Sequence, residues 1–256
     1  MQLTMNAEIC SDYHSNSQIA RVLTETWMGD NMFCPHCGNA NLTHFANNSP
    51  VADFYCSVCH NQYELKSKQG SLSSKINDGA YETMIERITS NTNPDFFFMS
   101  YSKQEWIVKD LILIPKHFFV PEIIEKRKPL ADTARRAGWI GCNILLNQIP
   151  IQGRIAIVSN GCVNDKNSVI NNVKKSNDLK IPNIKSRGWL FDILRCVNRI
   201  PSAYFTLDDV YAFENLLQEK YQNNNNIKAK IRQQLQFLRD KNLIEFLGNG
   251  RYRKNL

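Results

Sequence analysis

The sequence lacks the features that would place the chain in a membrane or send it for export. No apolar run approaches the roughly 18 residues that a membrane-spanning helix needs. Residues 1–18 have neither a basic start nor an apolar core, so they do not resemble a secretory signal peptide. We therefore expect a cytoplasmic protein with no membrane partner.

Acidic residues are also in short supply. The 256 residues include 24 Asp and Glu against 31 Lys and Arg, which gives a formal net charge of +7. A basic surplus favours a polyanionic partner such as nucleic acid, although many basic proteins bind none. With 43% hydrophobic and 21% charged residues, the chain has the composition of a globular protein of one large domain or two unequal domains.

Disulfides are not expected in a reducing compartment, yet the chain has eight cysteines. Four of them form two Cys-x-x-Cys pairs, Cys34 with Cys37 and Cys56 with Cys59, separated by 18 residues. Thiolates with this spacing converge tetrahedrally on zinc. We predict a structural zinc site, since four protein ligands leave no open position; four unrelated free cysteines are the alternative. The other cysteines, expected to be small buried residues, are Cys10, Cys142, Cys162 and Cys196.

Apolar periodicity predicts a helix first and then strands. The helix spans residues 15–28, with Ser15 as its cap, Gln18 completing a capping box and Glu25 on its polar, solvated side. A polar loop is predicted over residues 69–79, and a second helix follows over residues 81–88.

Two β-rich apolar runs, residues 96–101 and 106–114, predict central strands or a hairpin. Helix, strand, helix and strand in this order indicate an α/β domain with a mixed sheet.

A basic segment follows the predicted strands. Residues 125–140 carry a cluster of cations, among them Arg135 and Arg136, directly before Trp139. Cations beside an aromatic ring suit phosphate contacts together with a stacking or wedging ring. The alternative is a solvated basic loop whose tryptophan packs into the core.

The composition changes after Asn160. Residues 160–185 are rich in Asn, Lys and Ser with little periodicity, and we interpret their later part as a linker. We place the domain boundary there, with domains at 1–182 and 183–256. Three helices are predicted in the second domain: 188–197, one opening with Thr206 as N-cap and Asp209 three residues on, and 227–240. In the second of these, the residues predicted to share the inward face are Val210, Phe213, Leu216 and Leu217. The third is expected to bury Ile227, Ile231, Leu235 and Leu238.

Three helices followed by a basic hairpin resemble a winged helix. From Lys228 onward, eight Lys and Arg stand against two acids, so this tail holds most of the net charge of the chain. Such concentration favours a surface that faces DNA, where Gln can pair with adenine edges and Arg with guanine edges; a winged helix that docks a protein is the alternative. The predicted DNA-contacting residues are Lys228, Arg232, Gln233, Gln236, Arg251 and Arg253.

Charged residues flank the second cysteine pair in a pattern that suits phosphodiester cleavage. Asp53 and Glu64 could hold Mg²⁺ with the Leu65 carbonyl as a further ligand, leaving positions for water and a phosphate oxygen. Lys66, on the same strand face as Glu64, could orient the attacking water and help to deprotonate it. Taken alone, the pattern is also that of three charges on a solvated strand.

The segment PVAD…ELKSK resembles the PD-(D/E)xK nuclease superfamily, with Pro50 to Asp53 in the place of its Pro-Asp. More specifically, SNSQIARVLTE, CPHCGN, INDGAY, PLADTARRAGWIGCNI and IKAKIRQQLQFLRDK resemble the DpnI-like, methyl-directed (type IIM) restriction endonucleases over nearly the whole chain.

This resemblance implies a PD-(D/E)xK core of α/β class with an inserted four-cysteine zinc site and a C-terminal winged helix. It further implies Mg²⁺-dependent cleavage of double-stranded DNA at GATC sites with N6-methylated adenine, read by both domains. Carried over by position, the active site is Asp53, Glu64 and Lys66, and the zinc ligands are the two cysteine pairs. A zinc-containing DNA-binding regulator without nuclease activity is the alternative, and a structure-sensing repair nuclease is a third interpretation. We expect a monomer.

Overall fold

The structure is a computed structural model that describes residues 1–46, 52–90 and 92–255. The chain divides into two compact units, Met1–Asn147 with Gln152–Asn177, and Gln148–Ile151 with Asp178–Leu256. The predicted domain boundary after residue 182 stays a prediction. Over the described ranges, no helix is both long and apolar enough to cross a membrane.

Unit 1 is an α/β fold. Its helices are α1 (Asn16–Asn31), α2 (Tyr81–Thr89) and α3 (Lys166–Asn177). Its strands are β1 (Thr43–His44), β2 (Phe54–Tyr55), β3 (Gln62–Gln69), β4 (Lys75–Ala80), β5 (Asp95–Ser102), β6 (Ile107–Ile114), β7 (Ile124–Lys126), β8 (Gly141–Leu145), β9 (Ile155–Ser159) and β10 (Cys162–Val163). Short 3-10 turns in the chain lie at Ala7–Cys10, Lys116–Phe118, Pro121–Ile123, Leu146–Gln148 and Ile151–Gly153.

The strands of unit 1 form two sheets. The central sheet has the order β1-β2-β3-β5-β6-β9-β10, and only the β3–β5 pair in it is parallel. The smaller sheet has the order β4-β8-β7 and is antiparallel. The mixed central sheet agrees with the sequence prediction.

The middle of the central sheet is β5, whose apolar run is covered on both faces. Phe96, Phe97, Phe98 and Met99 are all fully buried, as expected for a central strand without polar alternation. The two runs were predicted to be central strands or a hairpin, and β5 and β6 are central strands that pair as an antiparallel hairpin. This buried pair gives the neighbouring strand β3 a rigid support.

Helix α1 lies over the central sheet and contributes Leu23, Trp27 and Met28 to the core cluster. Ser15 is the N-cap, as predicted, but its side chain accepts no capping hydrogen bond, so the predicted capping box with Gln18 is wrong. The Ser15 hydroxyl is instead 2.9 Å from the Ser17 hydroxyl.

Several elements of unit 1 were not predicted, and two of them, β4 and α3, lie where the sequence predicted a loop and a linker. The polar stretch before Tyr81 is not all loop, because β4 occupies its second half and pairs with β8; only Ile76 of β4 is buried, which leaves almost no apolar signal. The expected linker contains α3, which buries Val169 and Val173 under a mostly polar sequence. Asn, Ser and Val are weak helix formers, so α3 is stabilised mainly by the packing of its buried face.

The isolated cysteines divide between core and surface. Cys10, Cys142 and Cys196 are buried, as predicted. Cys162 is exposed on the edge strand β10, so the prediction that it is buried is wrong.

Unit 2 is helical with a small sheet. Its elements are α4 (Ile184–Arg199), β11 (Tyr204–Thr206), α5 (Leu207–Tyr211), α6 (Glu214–Lys220), α7 (Ile227–Asp240), β12 (Ile244–Gly248) and β13 (Arg251–Lys254). The sheet order β11-β13-β12 places β13 in the middle, and a turn with positive φ at Asn249 and Gly250 connects it to β12. This is the predicted hairpin, with a third strand that the sequence did not reveal.

The predicted second helix of unit 2 is two helices. Thr206 and Asp209 form the predicted capping box at α5, but the chain turns after Tyr211 and restarts as α6. Leu216, predicted to face inward, is consequently 46% exposed, whereas Leu217 is buried. Helix α7 buries the predicted apolar face, namely Ile227, Ile231, Leu235 and Leu238.

Candidate active site and zinc site

The two cysteine pairs lie on two copies of the same turn. The Gly38 N–H donates to the Cys34 carbonyl over 2.8 Å, and the His60 N–H donates to the Cys56 carbonyl over 2.9 Å. Gly38 and His60 both have positive φ, +79° and +59°. Glycine adopts this conformation without steric cost, whereas histidine does so rarely. The repeated turn brings the four sulfurs to one place.

The sulfur positions suit a tetrahedral metal. Cys34 Sγ lies 3.4 Å from Cys59 Sγ, and Cys37 Sγ lies 3.6 Å from Cys56 Sγ. All four sulfurs lie within 4.8 Å of one another. Four sulfurs at about 2.3 Å from zinc would be separated by about 3.8 Å. The cluster can therefore hold zinc with small adjustments, and it offers no open coordination position.

The cysteines of this cluster differ in pKa: burial raises the pKa of Cys34 and Cys37. At Cys56 burial also raises the pKa, but the N–H groups of Cys59 and Val58, together with the thiols of Cys37 and Cys59, outweigh it and lower the pKa to about 7. A thiolate is the form that binds metal. The turn geometry thus prepares the sulfur for a cation.

Side chains of β3 and of the residue directly before it form hydrogen bonds with the sulfurs. The Tyr63 hydroxyl is 3.1 Å from Cys34 Sγ, and Asn61 donates to Cys59 Sγ over 3.2 Å. Tyr63 directly precedes Glu64, so the cysteine cluster touches the strand that carries the predicted active-site residues. His36, between the first two cysteines, pairs with buried Asp95 of β5 over 2.5 Å.

Asp53 stands at the start of β2, beside β3. Phe54 of β2 pairs with Tyr63 of β3. Asp53 directly precedes Phe54 and Glu64 directly follows Tyr63, so both lie one residue beyond this pair. Its carboxylate Oδ2 accepts the Leu65 N–H over 2.7 Å, and its own N–H donates to the Tyr63 carbonyl over 3.0 Å. Asp53 is thereby fixed against Leu65, the residue between Glu64 and Lys66. Pro50 and Val51 of the PVAD motif lie outside the described residues.

Glu64 and Lys66 project from the same face of β3 into an ion-pair network. Lys66 Nζ is 2.5 Å from Glu64 Oε1 and also contacts Asp78 Oδ1. Arg87 Nη1 lies 2.5 Å from Glu64 Oε2. Burial alone would lower the pKa of Lys66, but Glu64 and Asp78 outweigh it and raise the pKa, so this ammonium stays charged at neutral pH.

Three charged residues around the candidate active site were not predicted as site residues. Asp78 is on β4 and Arg87 on α2, in a segment that looked like a loop followed by an ordinary helix. Glu25 of α1 was expected to be merely solvated, yet its side chain is 19% exposed and lies 3.3 Å from His44. Burial and the charge of Asp53 raise the pKa of Glu25, against Arg21 and His44. Their spacing in the sequence carries no signal, because tertiary packing brings them together.

The predicted basic segment follows β7 as an exposed loop. Arg135 and Arg136 are exposed, and the Arg136 guanidinium lies 4.6 Å from the centre of the Trp139 ring. Trp139 is half-buried and packs so closely on Gly141 that an added Cβ there would lie 2.8 Å from the indole. The tryptophan is thus neither free nor in the core: the six-membered part of its ring packs on Gly141, and the Arg136 cation lies over the ring.

The predicted cationic surface of unit 2 is exposed. The α7 residues Lys228, Arg232, Gln233, Gln236 and Arg239 are all exposed, opposite the buried face of the helix. On β13, Arg251 and Arg253 are exposed, and Arg253 pairs with Glu245 over 2.7 Å.

Comparison with protein families assigns both halves of the chain. The model of the DpnI, or Dam-replacing, family matches residues 1–181. The Dam-replacing HTH domain matches residues 185–254. The chain belongs to the Dam-replacing family. Membership makes it a methyl-directed restriction endonuclease with a DNA-binding HTH domain at its C-terminal end, in agreement with the resemblance noted in the sequence.

Zinc removal is expected to unfold unit 1, because the free energy of binding zinc at a four-thiolate site is largely folding free energy. A zinc-selective chelator should lower the unfolding temperature by more than about 10 °C, since a loss of several kcal/mol shifts a domain of this size by that amount. Differential scanning calorimetry measures the shift.

Matched serine variants provide the control. Cys37→Ser should lose bound zinc and stability, whereas Cys162→Ser, at an exposed cysteine outside the cluster, should keep both. An unfolding temperature that does not change when zinc is removed would contradict a structural metal site.

Proposed function

We propose that this protein hydrolyses phosphodiester bonds of double-stranded DNA at GATC sites whose adenine carries an N6-methyl group, and that it requires Mg²⁺. Such an activity would destroy methylated foreign DNA in a cell that leaves its own GATC sites unmethylated. The observation that carries the proposal is the placement of Asp53 against the Glu64–Lys66 segment of β3, in a member of a restriction endonuclease family.

The residues that would hold Mg²⁺ are Asp53, Glu64 and the carbonyl of Leu65. Carboxylate and carbonyl oxygens are the donors that this hard cation prefers, and the Asp53 carboxylate already contacts the Leu65 peptide. Bound there, Mg²⁺ would neutralise charge on the scissile phosphate and make a bound water more acidic. The PD-(D/E)xK assignment of this set is part of the proposal.

Lys66 contributes a fixed positive charge. Its raised pKa keeps the ammonium protonated, so it is better suited to donate hydrogen bonds to the attacking water and stabilise the developing negative charge than to accept a proton. Asp78 and Glu64 hold the ammonium from two sides and limit its rotamers. This arrangement supports positioning and electrostatic stabilisation as the role of Lys66.

Methyl recognition needs more than one contact. Burying one methyl group contributes about 0.8 kcal/mol, which is only a few-fold preference. Strong discrimination therefore requires two methyl groups, or reading by both domains. In unit 1, Arg135, Arg136 and Trp139 are the proposed DNA contacts, with the Arg136 guanidinium stacked 4.6 Å from the centre of the Trp139 ring. In unit 2, the proposed contacts are Lys228, Arg232, Gln233, Gln236, Arg251 and Arg253.

A DNA-binding regulator without chemistry is the less favoured function. Glu64, Lys66, Asp78 and Arg87 are each at most 21% exposed, and burying four charges costs free energy that their pairing offsets only in part. A buried charged network beside the proposed metal ligands is typical of a catalytic site, which favours the nuclease.

A methylation-matched digestion tests the proposed function. With Mg²⁺, plasmid carrying N6-methyladenine at GATC should give discrete fragments, and unmethylated plasmid should stay intact on the same gel. Asp53→Ala should abolish cleavage because a metal ligand is lost, while filter binding without Mg²⁺ retains its affinity. Equal cutting of both plasmids would exclude methyl direction, and tight binding without cutting would favour the regulator.

Replacing Asp78 tests the role of the network. Asp78→Asn removes one of the two acids that hold Lys66, so we expect single-turnover cleavage to slow roughly tenfold or more, the scale of one charge-assisted hydrogen bond. DNA affinity without Mg²⁺ should be unchanged. Glu82→Gln is the matched control, because Glu82 is 81% exposed and pairs with Lys126 away from β3. Equal cleavage rates for the two variants would show that Asp78 does not position Lys66.

A further inference from the structure

Tyr211 joins two cations of the exposed face of α7. Its hydroxyl accepts a hydrogen bond from Arg232 Nη1 over 2.6 Å, and the Lys228 ammonium lies 5.3 Å from the centre of its ring. Lys228 also lies 3.4 Å from Glu214 Oε2. Lys228 and Arg232 are four residues apart, so they are neighbours on one helix surface. One tyrosine therefore organises two adjacent cationic side chains.

Long exposed side chains usually adopt many rotamers. Fixing one of them on binding lowers affinity by roughly two- to tenfold, because rotational freedom is lost. When a neighbouring group already holds the side chain in the free protein, that loss has occurred before the partner arrives. Tyr211 can hold Arg232 in this way with its hydroxyl, and it can restrain Lys228 with its ring.

The hydrogen bond leaves most of the Arg232 guanidinium available. Among the described residues, Nε and Nη2 have no hydrogen-bond acceptor, so that edge can form a bidentate contact with a phosphate or with O6 and N7 of guanine. The side chain is exposed on the face of α7 opposite the core. An arginine fixed at one nitrogen and free at the other edge is suited to reading one defined position.

The tyrosine itself is half-buried at the end of α5, next to fully buried Val210. The fold therefore sets its ring position, and removing the hydroxyl leaves the ring and the core in place. This separates a role in arranging the cations from a role in folding.

We propose that Tyr211 is a positioning residue of the DNA-binding surface, which fixes Arg232 and Lys228 in the orientation that contacts the duplex. The proposal rests on the proposed function, in which α7 faces DNA. Its partner is double-stranded DNA, bound through phosphate or guanine by Arg232 and through phosphate by Lys228.

A double-mutant cycle tests the proposal with the full-length protein and a short duplex that carries one fully methylated GATC site, with Mg²⁺ omitted. Tyr211→Phe should weaken binding about three- to tenfold, since it removes only the hydroxyl that holds Arg232. Arg232→Gln should weaken binding at least as much. The double variant should bind no worse than Arg232→Gln alone, because the hydroxyl acts only through Arg232.

Tyr204→Phe is the matched control. Tyr204 lies on β11 in the same unit and is 61% exposed, and its loss of a hydroxyl should change neither the affinity nor the unfolding temperature. Tyr211→Phe should have the same unfolding temperature as this control, whereas a purely structural role would lower it.

The possible outcomes distinguish the positioning role of Tyr211 from the DNA-facing role of α7. If Arg232→Gln weakens binding and Tyr211→Phe binds like wild type, or if the two effects add fully, the positioning role of Tyr211 is wrong while the DNA-facing role of α7 stands. If Arg232→Gln and Lys228→Gln both bind like wild type, α7 does not face DNA, and the inference fails with that part of the proposed function.

Discussion

The pairing of β2 with β3, closed at one end by the cysteine cluster, is the constraint on which the candidate active site depends. The two strands share only a short register, Phe54 with Tyr63 and Tyr55 with Gln62. A two-residue ladder is weak when isolated, because few hydrogen bonds offset the entropy of ordering the chain. The second cysteine turn, Cys56 to Cys59, is the loop of this hairpin. The sulfurs of the first turn, Cys34 and Cys37, lie next to the sulfurs of this loop. A metal held by all four sulfurs would therefore fix the loop that sets where Asp53 meets Glu64.

Charge balance is the second constraint. Lys66 and Arg87 face Glu64 and Asp78, so the network contains two cations and two anions in a poorly solvated place. Removing one member of such a network destabilises the fold by more than its ion pair stabilises it, because an unpaired buried charge remains. The network also joins β3 of the central sheet to β4, an edge strand of the smaller sheet, and to α2, which packs against that smaller sheet. The basic loop connects β7 and β8 of that same sheet. The proposed catalytic and DNA-contacting parts of unit 1 are therefore both attached to the smaller sheet.

The sequence predicted the elements whose signal is local. Cysteine spacing predicted the cluster, a run of phenylalanines predicted β5, and the Thr206–Asp209 pattern predicted the cap of α5. Elements stabilised by a few buried residues were missed, such as β4 with Ile76 and α3 with two valines. Their polarity resembles that of loops, and only packing against β8 and β9 makes them ordered.

The candidate site shows the same difference between what local sequence patterns predict and what only tertiary packing determines. Asp53, Glu64 and Lys66 lie close together in sequence on two paired strands, so their proximity could be predicted, while their roles stay proposals. Asp78 and Arg87 contact the Lys66–Glu64 pair, and Tyr211 contacts Arg232, only because the fold brings distant segments together, so no spacing rule identifies them. Local patterns thus indicate candidate catalytic residues, whereas the neighbours that contact them can be identified only from the tertiary structure.

Anomalous diffraction from crystals soaked in Mn²⁺, recorded at the zinc and manganese edges, tests the central claim most directly. The account predicts zinc among Cys34, Cys37, Cys56 and Cys59, and Mn²⁺ bound between the carboxylates of Asp53 and Glu64 at oxygen-ligand distance. Mn²⁺ bound elsewhere, with these two carboxylates turned apart while zinc occupies its site, would contradict it.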